Sequence, residues 1–207
     1  MAAARLFVAL VPPAPVRAEL AALAAPLAGV RWTPEENFHL TLRFIGAATP
    51  ERPAEFAGAL RRVRVEPFIL PVGDTGQFPG RGPAKVLWAG VGRAHTRLFQ
   101  LRKQVDEALL AVDPGLAMPG FHPHFTLGRL DATHAPKEIV RFLSRHAAFE
   151  GPPFRADAFA LMTSELTPGR PPVYRVAEIF RLDGPAALFR ATGPDIKEVA
   201  IKPRAAP

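Results

Sequence analysis

The 207-residue chain contains no cysteine. A disulfide framework, thiolate metal sites and cysteine nucleophiles are therefore excluded. Aromatics other than phenylalanine are scarce: two Trp and a single Tyr. Acidic residues number 19 against 26 basic ones, for a net charge of +7 and a pI near 10.7. Lysine contributes only 5 of those cations and arginine 21. That balance favours a polyanionic partner, nucleic acid first. The abundance of Pro, Gly and Ala suggests biased genome composition, so any single arginine weighs little. Long apolar runs are missing too. Leu6 to Val11 is closed by Pro12-Pro13, short of the about 18–20 residues that span a bilayer and of the about 7–15 residues of a signal-peptide core. The expectation is a cytoplasmic protein without a membrane segment.

Hydrophobic residues make up 48% and charged ones 22%, ordinary for a folded domain. Arg5 to Val11 reads as a strand. Pro15 to Ala28 carries Val16, Leu20, Leu23 and Leu27 at helical spacing and stops at Gly29. Phe38 to Ile45 alternates as a strand, and Pro50 to Val63 is a helix. Pro67–Val72 and Lys85–Val91 are strands around a Gly/Pro-rich loop, Gly73–Pro83. A helix over Ala94–Val112, a strand over Phe125–Leu130 and a helix over Pro136–His146 follow. Phe154–Leu161 and Val173–Leu182 are the closing strands. Interleaved strands and helices without a linker predict an α/β or α+β fold in one domain, residues 1–182, with a mixed or antiparallel sheet, and α+β is the class expected. Residues 183–207 form a C-terminal extension without assigned role, with a frayed end and a short edge strand at Val199–Ile201.

One pattern occurs twice. His39-Leu-Thr41-Leu and His124-Phe-Thr126-Leu share His-x-Thr-Leu, 85 residues apart. Chance predicts about 0.03 such matches in this composition. On a strand, residues i and i+2 face the same way, so each histidine shares a face with its threonine. Two such strands side by side would bring two imidazoles and two hydroxyls to one volume, suggesting two similar halves about a pseudo-twofold axis. Imidazole titrates near neutrality, and β-branched threonine is a stiff donor. Paired proton-transfer groups with paired donors suit phosphodiester hydrolysis by general acid and base.

By these motifs the sequence resembles the two-histidine phosphoesterases. Within them it resembles the RNA 2′,3′-cyclic phosphodiesterase/2′-5′ RNA ligase (LigT-like) family. The blocks that carry this are Arg5–Leu10, Val30–Gly46, Phe78-Pro79, Val86–Gly90, Phe121–Arg129 and Ser164–Leu166, with Gly169 and Tyr174. The resemblance implies a bilobal fold with two sheets flanking a cleft and helices on the outer faces. It implies metal-free, cofactor-free opening of an RNA-terminal 2′,3′-cyclic phosphate to a 2′-phosphate, with ligation as the reverse reaction. His39 would be the proton donor to the departing 3′-oxygen and His124 the base. Thr41 and Thr126 would hold phosphoryl oxygens, and Arg129 would bind phosphate. The partner is then RNA, acted on by a monomer that needs no protein partner.

Other residues admit two readings. Arg43 continues the His39 face by the period-2 rule, so it either lines the cleft or pairs with a carboxylate. Tyr174 is the candidate for stacking a terminal base; Phe125 is expected in the core, and Trp32 and Trp88 inside the lobes. His122 either completes a zinc set with His39 and His124 or sits at the cleft rim, the reading Pro123 favours. His95, His134 and His146 are expected on the solvent side. Arg61, Arg62 and Arg64 suit a helix end. Two rivals remain: a related enzyme for a small cyclic nucleotide, and a non-catalytic basic RNA-binding module.

Overall fold

The computed structural model describes residues 5–47, 49, 51–92, 96–131, 136–165 and 172–183. Nine strands and four helices are formed among them: β1 Arg5–Leu10, α1 Ala14–Ala22, β2 Val30–Trp32, β3 Leu40–Ala47, α2 Arg52–Leu60, β4 Phe68–Phe78, β5 Val86–Gly90, α3 Thr96–Val112, β6 Phe125–Leu130, α4 Pro136–Arg145, β7 Glu150–Ala156, β8 Ala158–Glu165 and β9 Val173–Arg181. A 3-10 turn, Glu35–Asn37, precedes β3. The expected C-terminal edge strand and nearly all of the extension, with His95 and His134, lie outside the described residues.

All strands pair antiparallel in the order β7-β4-β5-β6-β3-β1-β8-β9, and β2 lies against β6. The resemblance implies two sheets. Hydrogen bonding instead runs unbroken through one sheet, whose halves meet at β3 and β6 in a single register pair, Leu40 with Phe125. These two residues directly follow the motif histidines, so the repeat marks the seam of the fold. Asp157 alone separates β7 from β8, yet the two lie six strands apart in the sheet. One residue spans only about 3.8 Å, so the sheet must bend back on itself. Expected as one strand, 154–161 is thus two strands serving opposite halves.

The helices bury the faces their spacing announces. Val16 and Leu20 of α1, Phe56 and Leu60 of α2, Leu98, Leu101, Val105 and Leu109 of α3, and Ile139 and Phe142 of α4 join Leu6, Val8, Leu10, Leu40, Leu87, Phe125 and Leu161 in one core. α1 is shorter than its apolar pattern, because Pro26 disfavours helical geometry in the residue before it; Leu27 still packs on the core. Gly73–Phe78, expected as loop, belongs to β4. The glycines there serve close approach rather than a turn. A Cβ on Gly76 would lie 2.2 Å from the Trp88 ring, and one on Gly73 would lie 3.0 Å from the Phe149 carbonyl. The opposite face of the sheet carries a small cluster: Phe7, Ala9, Ala160 and Met162, with Tyr174 and Val176 against it. This face is the cleft floor.

Each motif strand carries a bulge at the same place. Ala9 pairs with Thr41 but Val8 with Arg43, so Leu42 is an extra residue in β3. Trp88 pairs with Thr126 but Leu87 with Gly128, so Leu127 is the extra residue in β6. A bulge leaves one residue out of the ladder and resets the alternation of faces. The freed carbonyls are both taken: Arg102 donates to Leu42 O, and the Thr33 N–H donates to Leu127 O at 2.8 Å.

The bulge turns Arg43 away from the cleft. Its side chain is 1% exposed, and it donates to Asp106 Oδ1 at 2.9 Å, to Met118 Sδ at 3.4 Å and to the Ala117 carbonyl. Asp106 Oδ2 also accepts from Arg102 Nε at 2.6 Å. The cleft-lining alternative for Arg43 is therefore corrected: it is one arm of a buried Arg–Asp–Arg triad that holds the bulge. Removing the shared anion leaves two buried guanidiniums uncompensated, a loss of about 3–5 kcal/mol for a broken buried pair. Asp106→Ala should lower unfolding free energy by that amount in a urea titration. A loss below about 1 kcal/mol, the range of exposed pairs, would contradict the assignment.

Candidate active site

The two motif histidines are built alike. His39 Nδ1 lies 2.7 Å from the Asn37 carbonyl, and His124 Nδ1 lies 2.7 Å from the His122 carbonyl. A carbonyl only accepts, so Nδ1 carries the proton in each ring and Nε2 is left with a free lone pair. Each ring bonds to the backbone two residues earlier, so the chain itself locks tautomer and orientation.

The surroundings act on both rings in one direction. His39 is pinned between aromatics, 5.0 Å from the Phe7 ring and 4.9 Å from Tyr174. Desolvation lowers its pKa from 6.5 to about 4; the Asn37 carbonyl opposes this, and the charges of His124 and Arg129 add to it. His124 lies edge-on to Phe78 at 5.0 Å. Desolvation lowers its pKa also, against the His122 carbonyl and with the charges of His122 and Arg129. Both imidazoles are thus neutral at pH 7. Arg129 also offsets part of the upward shift that burial gives the Tyr174 hydroxyl. Its charge therefore reaches His39, His124 and Tyr174, which belong to both halves of the sheet.

The bulges explain which further side chains arrive. Trp88 and Val86 are two apart on β5 and face Thr126 and Arg129, so Arg129 shares the Thr126 face despite its odd spacing from His124. Strict alternation would have turned it into the core. The equivalent residue after His39 is Phe44, 64% exposed and 5.9 Å from the Phe7 ring. Burial runs identically along the two strands: buried, half-buried, buried, buried, exposed over Leu40–Phe44 and over Phe125–Arg129. Arg43 thus corresponds to Gly128, whose missing Cβ leaves room for Val30 and Trp32, at 3.0 and 3.3 Å from where it would stand. The cleft is symmetric in its histidines and threonines, and asymmetric at the next cleft-facing position, arginine against phenylalanine.

Thr41 and Thr126 are half-buried, and neither hydroxyl has a partner among the described residues. Tyr174 is brought to the site with its ring edge-on to His39 and to Phe7, at 4.9 and 5.4 Å. Phe38 and Phe125 are core residues. His122 lies against Phe78 and Trp88, 5.0 Å from each ring and 6.2 Å from His124. Among the described residues, no group of three or more His, Asp or Glu side chains gathers as metal ligands, and no helix is long and apolar enough to cross a membrane. Sequence reasoning misses Phe44, because period-2 counting places it in the core; its signal is the equal offset of Phe44 and Arg129 from the two histidines.

Comparison with known proteins supports the same division. The model of the LigT-like phosphoesterase family matches twice, at residues 10–88 and 91–173, once for each half of the repeat. The chain is similar to an RNA 2′,3′-cyclic phosphodiesterase of Thermus thermophilus, 35% identical over 201 residues that cover 92% of this chain and 96% of the relative. A protein of the same name from Aeropyrum pernix is 31% identical over 141 residues, 68% of this chain and 80% of that one. Among solved structures, TT0787 of Thermus thermophilus superposes with a TM-score of 0.72 at 30% identity, over 86% of this chain and 97% of that one. Escherichia coli LigT in complex with 3′-AMP gives a TM-score of 0.68 at 26% identity, over 88% and 99%. The doubled match, like the doubled strand, places the chain in the LigT-like phosphoesterase family.

Proposed function

We propose that this protein hydrolyses the 2′,3′-cyclic phosphate at the end of an RNA to a 2′-phosphate, as a cytoplasmic monomer using two histidines and no metal. The observation that carries the reading is the pair of backbone-locked imidazoles, each keeping Nε2 free at the seam between the two halves. The relatives' names supply the substrate class.

The chemistry then follows from the site. Arg129 binds the phosphoryl oxygens, and the Thr41 and Thr126 hydroxyls donate to the charge that grows on them in the pentacoordinate transition state. His124 Nε2 takes a proton from water as the water oxygen bonds to phosphorus. The bond from phosphorus to O3′ breaks, and His39, protonated at Nε2, gives that proton to the leaving oxygen. The product carries a 2′-phosphate and a free 3′-hydroxyl, and the two rings exchange protons with solvent before the next turnover. His39 suits the acid role because its lowered pKa makes its imidazolium a strong donor. A bound phosphate anion raises that pKa and supplies the protonated form. Running the same steps with a 5′-hydroxyl in place of water, so that its oxygen bonds to phosphorus as the bond to O3′ breaks, is 2′-5′ ligation. Phe44, rather than Tyr174, offers an open ring face to the terminal base, since Tyr174 already packs on His39.

With EDTA present, a short RNA ending in a cyclic phosphate should give only the 2′-phosphate. His39→Ala and His124→Ala should each lower kcat by about 10²–10⁴-fold with unchanged melting temperature. A 3′-phosphate product, or full activity in either variant, would overturn the reading; tight salt-sensitive binding without turnover would favour the binding module.

The kcat/KM profile reports the free enzyme. It requires one ring protonated and the other neutral, and both rings have pKa values below 6.5. Its maximum should therefore lie on the acid side of pH 6.5. The kcat maximum should lie higher, because the bound anion holds a proton on the pair, whose apparent values belong to both rings. A kcat/KM optimum at or above pH 7 would contradict the desolvated site. Phe44→Ala should raise KM by the loss of about 1–3 kcal/mol of base stacking while leaving kcat largely intact.

A further inference from the structure

Arg129 has an arginine neighbour that none of these steps uses. Arg31 on β2 pairs directly with Arg129 on β6, flanked by the pairs Val30–Leu130 and Trp32–Gly128. Directly opposed residues of an antiparallel pair have Cα atoms about 4.5–5.5 Å apart and point to the same face. Val30 and Trp32 take the other face, where they crowd the space beside Gly128. Arg31 therefore stands on the cleft face beside Arg129, and both are exposed.

Like charges set directly opposite destabilise a sheet. Two other strand arginines are neutralised: Arg175 pairs with Glu165 at 3.2 Å, and Arg181 lies 3.8 Å from Asp157. Neither Arg31 nor Arg129 has an ion pair or hydrogen-bond partner among the described residues. Two guanidiniums held side by side without a counter-charge suit two neighbouring anions.

The row across the cleft face runs Phe78, Val86, Arg129, Arg31. On the β5 side of Arg129 it is apolar, and on the β2 side it is cationic. We infer that Arg31 binds the internucleotide phosphodiester immediately 5′ of the terminal nucleoside while Arg129 holds the cyclic phosphate, so that the RNA leaves the cleft over β2 and a chain is preferred to a mononucleotide. This rests on the hydrolase reading above and adds to it a second anion subsite, at Arg31, for the first internal phosphate of the RNA.

Three substrates separate the possibilities: a nucleoside 2′,3′-cyclic phosphate, a dinucleotide ending in the cyclic phosphate, and that dinucleotide with a neutral methylphosphonate linkage. Arg31→Ala should raise KM for the ordinary dinucleotide about tenfold, the scale of one hydrogen bond to a charged group. For the other two substrates KM should change much less. The slope of log kcat/KM against log salt on the dinucleotide should shrink by about 0.7, one single-strand phosphate contact. Arg31→Lys should recover part of the loss, and no variant should melt below the parent, since Arg31→Ala removes a like-charge pair. Equal losses on the mononucleotide and dinucleotide would place Arg31 on the cyclic phosphate and overturn the inference. No loss on any substrate would make it a solvated arginine and overturn the inference equally. If the parent protein turns over none of the three, the hydrolase reading fails. Arg31 is then decided by calorimetric binding of the ordinary and methylphosphonate dinucleotides to the parent and to Arg31→Ala: a charge preference lost in the variant supports it, and one unchanged overturns it.

Discussion

Two matching bulges, at Leu42 and Leu127 in the motif strands, decide which side chains enter the cleft. Without them, alternation would send Arg43 to the cleft and Arg129 to the core. With them, Leu42 and Arg43 both face the helices, Leu127 and Gly128 are both buried, and Phe44 and Arg129 emerge beside the threonines. Bulges leave backbone groups unpaired and so need support. The chain supports the bulges at Leu42 and Leu127 differently. In β3, α3 sends Arg102 to the Leu42 carbonyl and Asp106 to Arg43. In β6, the segment between β2 and the 3-10 turn gives the Thr33 amide to Leu127. Those two solutions break the symmetry of an otherwise repeated site.

That broken symmetry matters for a reaction with distinct entering and leaving oxygens. Two equivalent histidines would have no physical reason to divide acid and base roles. Arginine on one side and an open phenylalanine on the other make the two halves of the cleft chemically unlike. The aromatic enclosure is also unequal: His39 lies between Phe7 and Tyr174, while Phe78 stands edge-on to His124. Desolvation is the largest influence on both rings, so the same apolar walls that orient the imidazoles also keep them uncharged until an anion arrives. In the proposed mechanism the site holds its charge on Arg129, and its histidines gain theirs with the substrate.

Much of this is legible in the chain, and the failures are local. The doubled His-x-Thr-Leu names the seam residues, because a motif on a strand carries its own facing rule. The helices follow from apolar spacing, except where Pro26 shortens α1. The glycines of β4 mislead, since Gly76 reads as a turn until Trp88 is seen lying across it. Asp157 is invisible as a break, because apolar residues flank it on both sides and only the pairing of β7 and β8 with different strands separates them. Arg43, Phe44 and Arg31 depend on register. A bulge changes face without changing composition, so alternation alone misassigns Arg43 and hides Phe44, while Arg129 enters only through the family likeness.

The backbone carbonyls of Asn37 and His122 hold both imidazoles with Nε2 free in a desolvated cleft, and the proposed chemistry depends on that arrangement first. Long-range ¹H–¹⁵N correlation spectra of the imidazole nitrogens across a pH titration test it most directly. His39 and His124 should appear as neutral Nδ1–H tautomers at pH 7, with His39 titrating near 4 and moving upward when inorganic phosphate is added. An Nε2–H tautomer in either ring, or His39 titrating near 6.5, would contradict it.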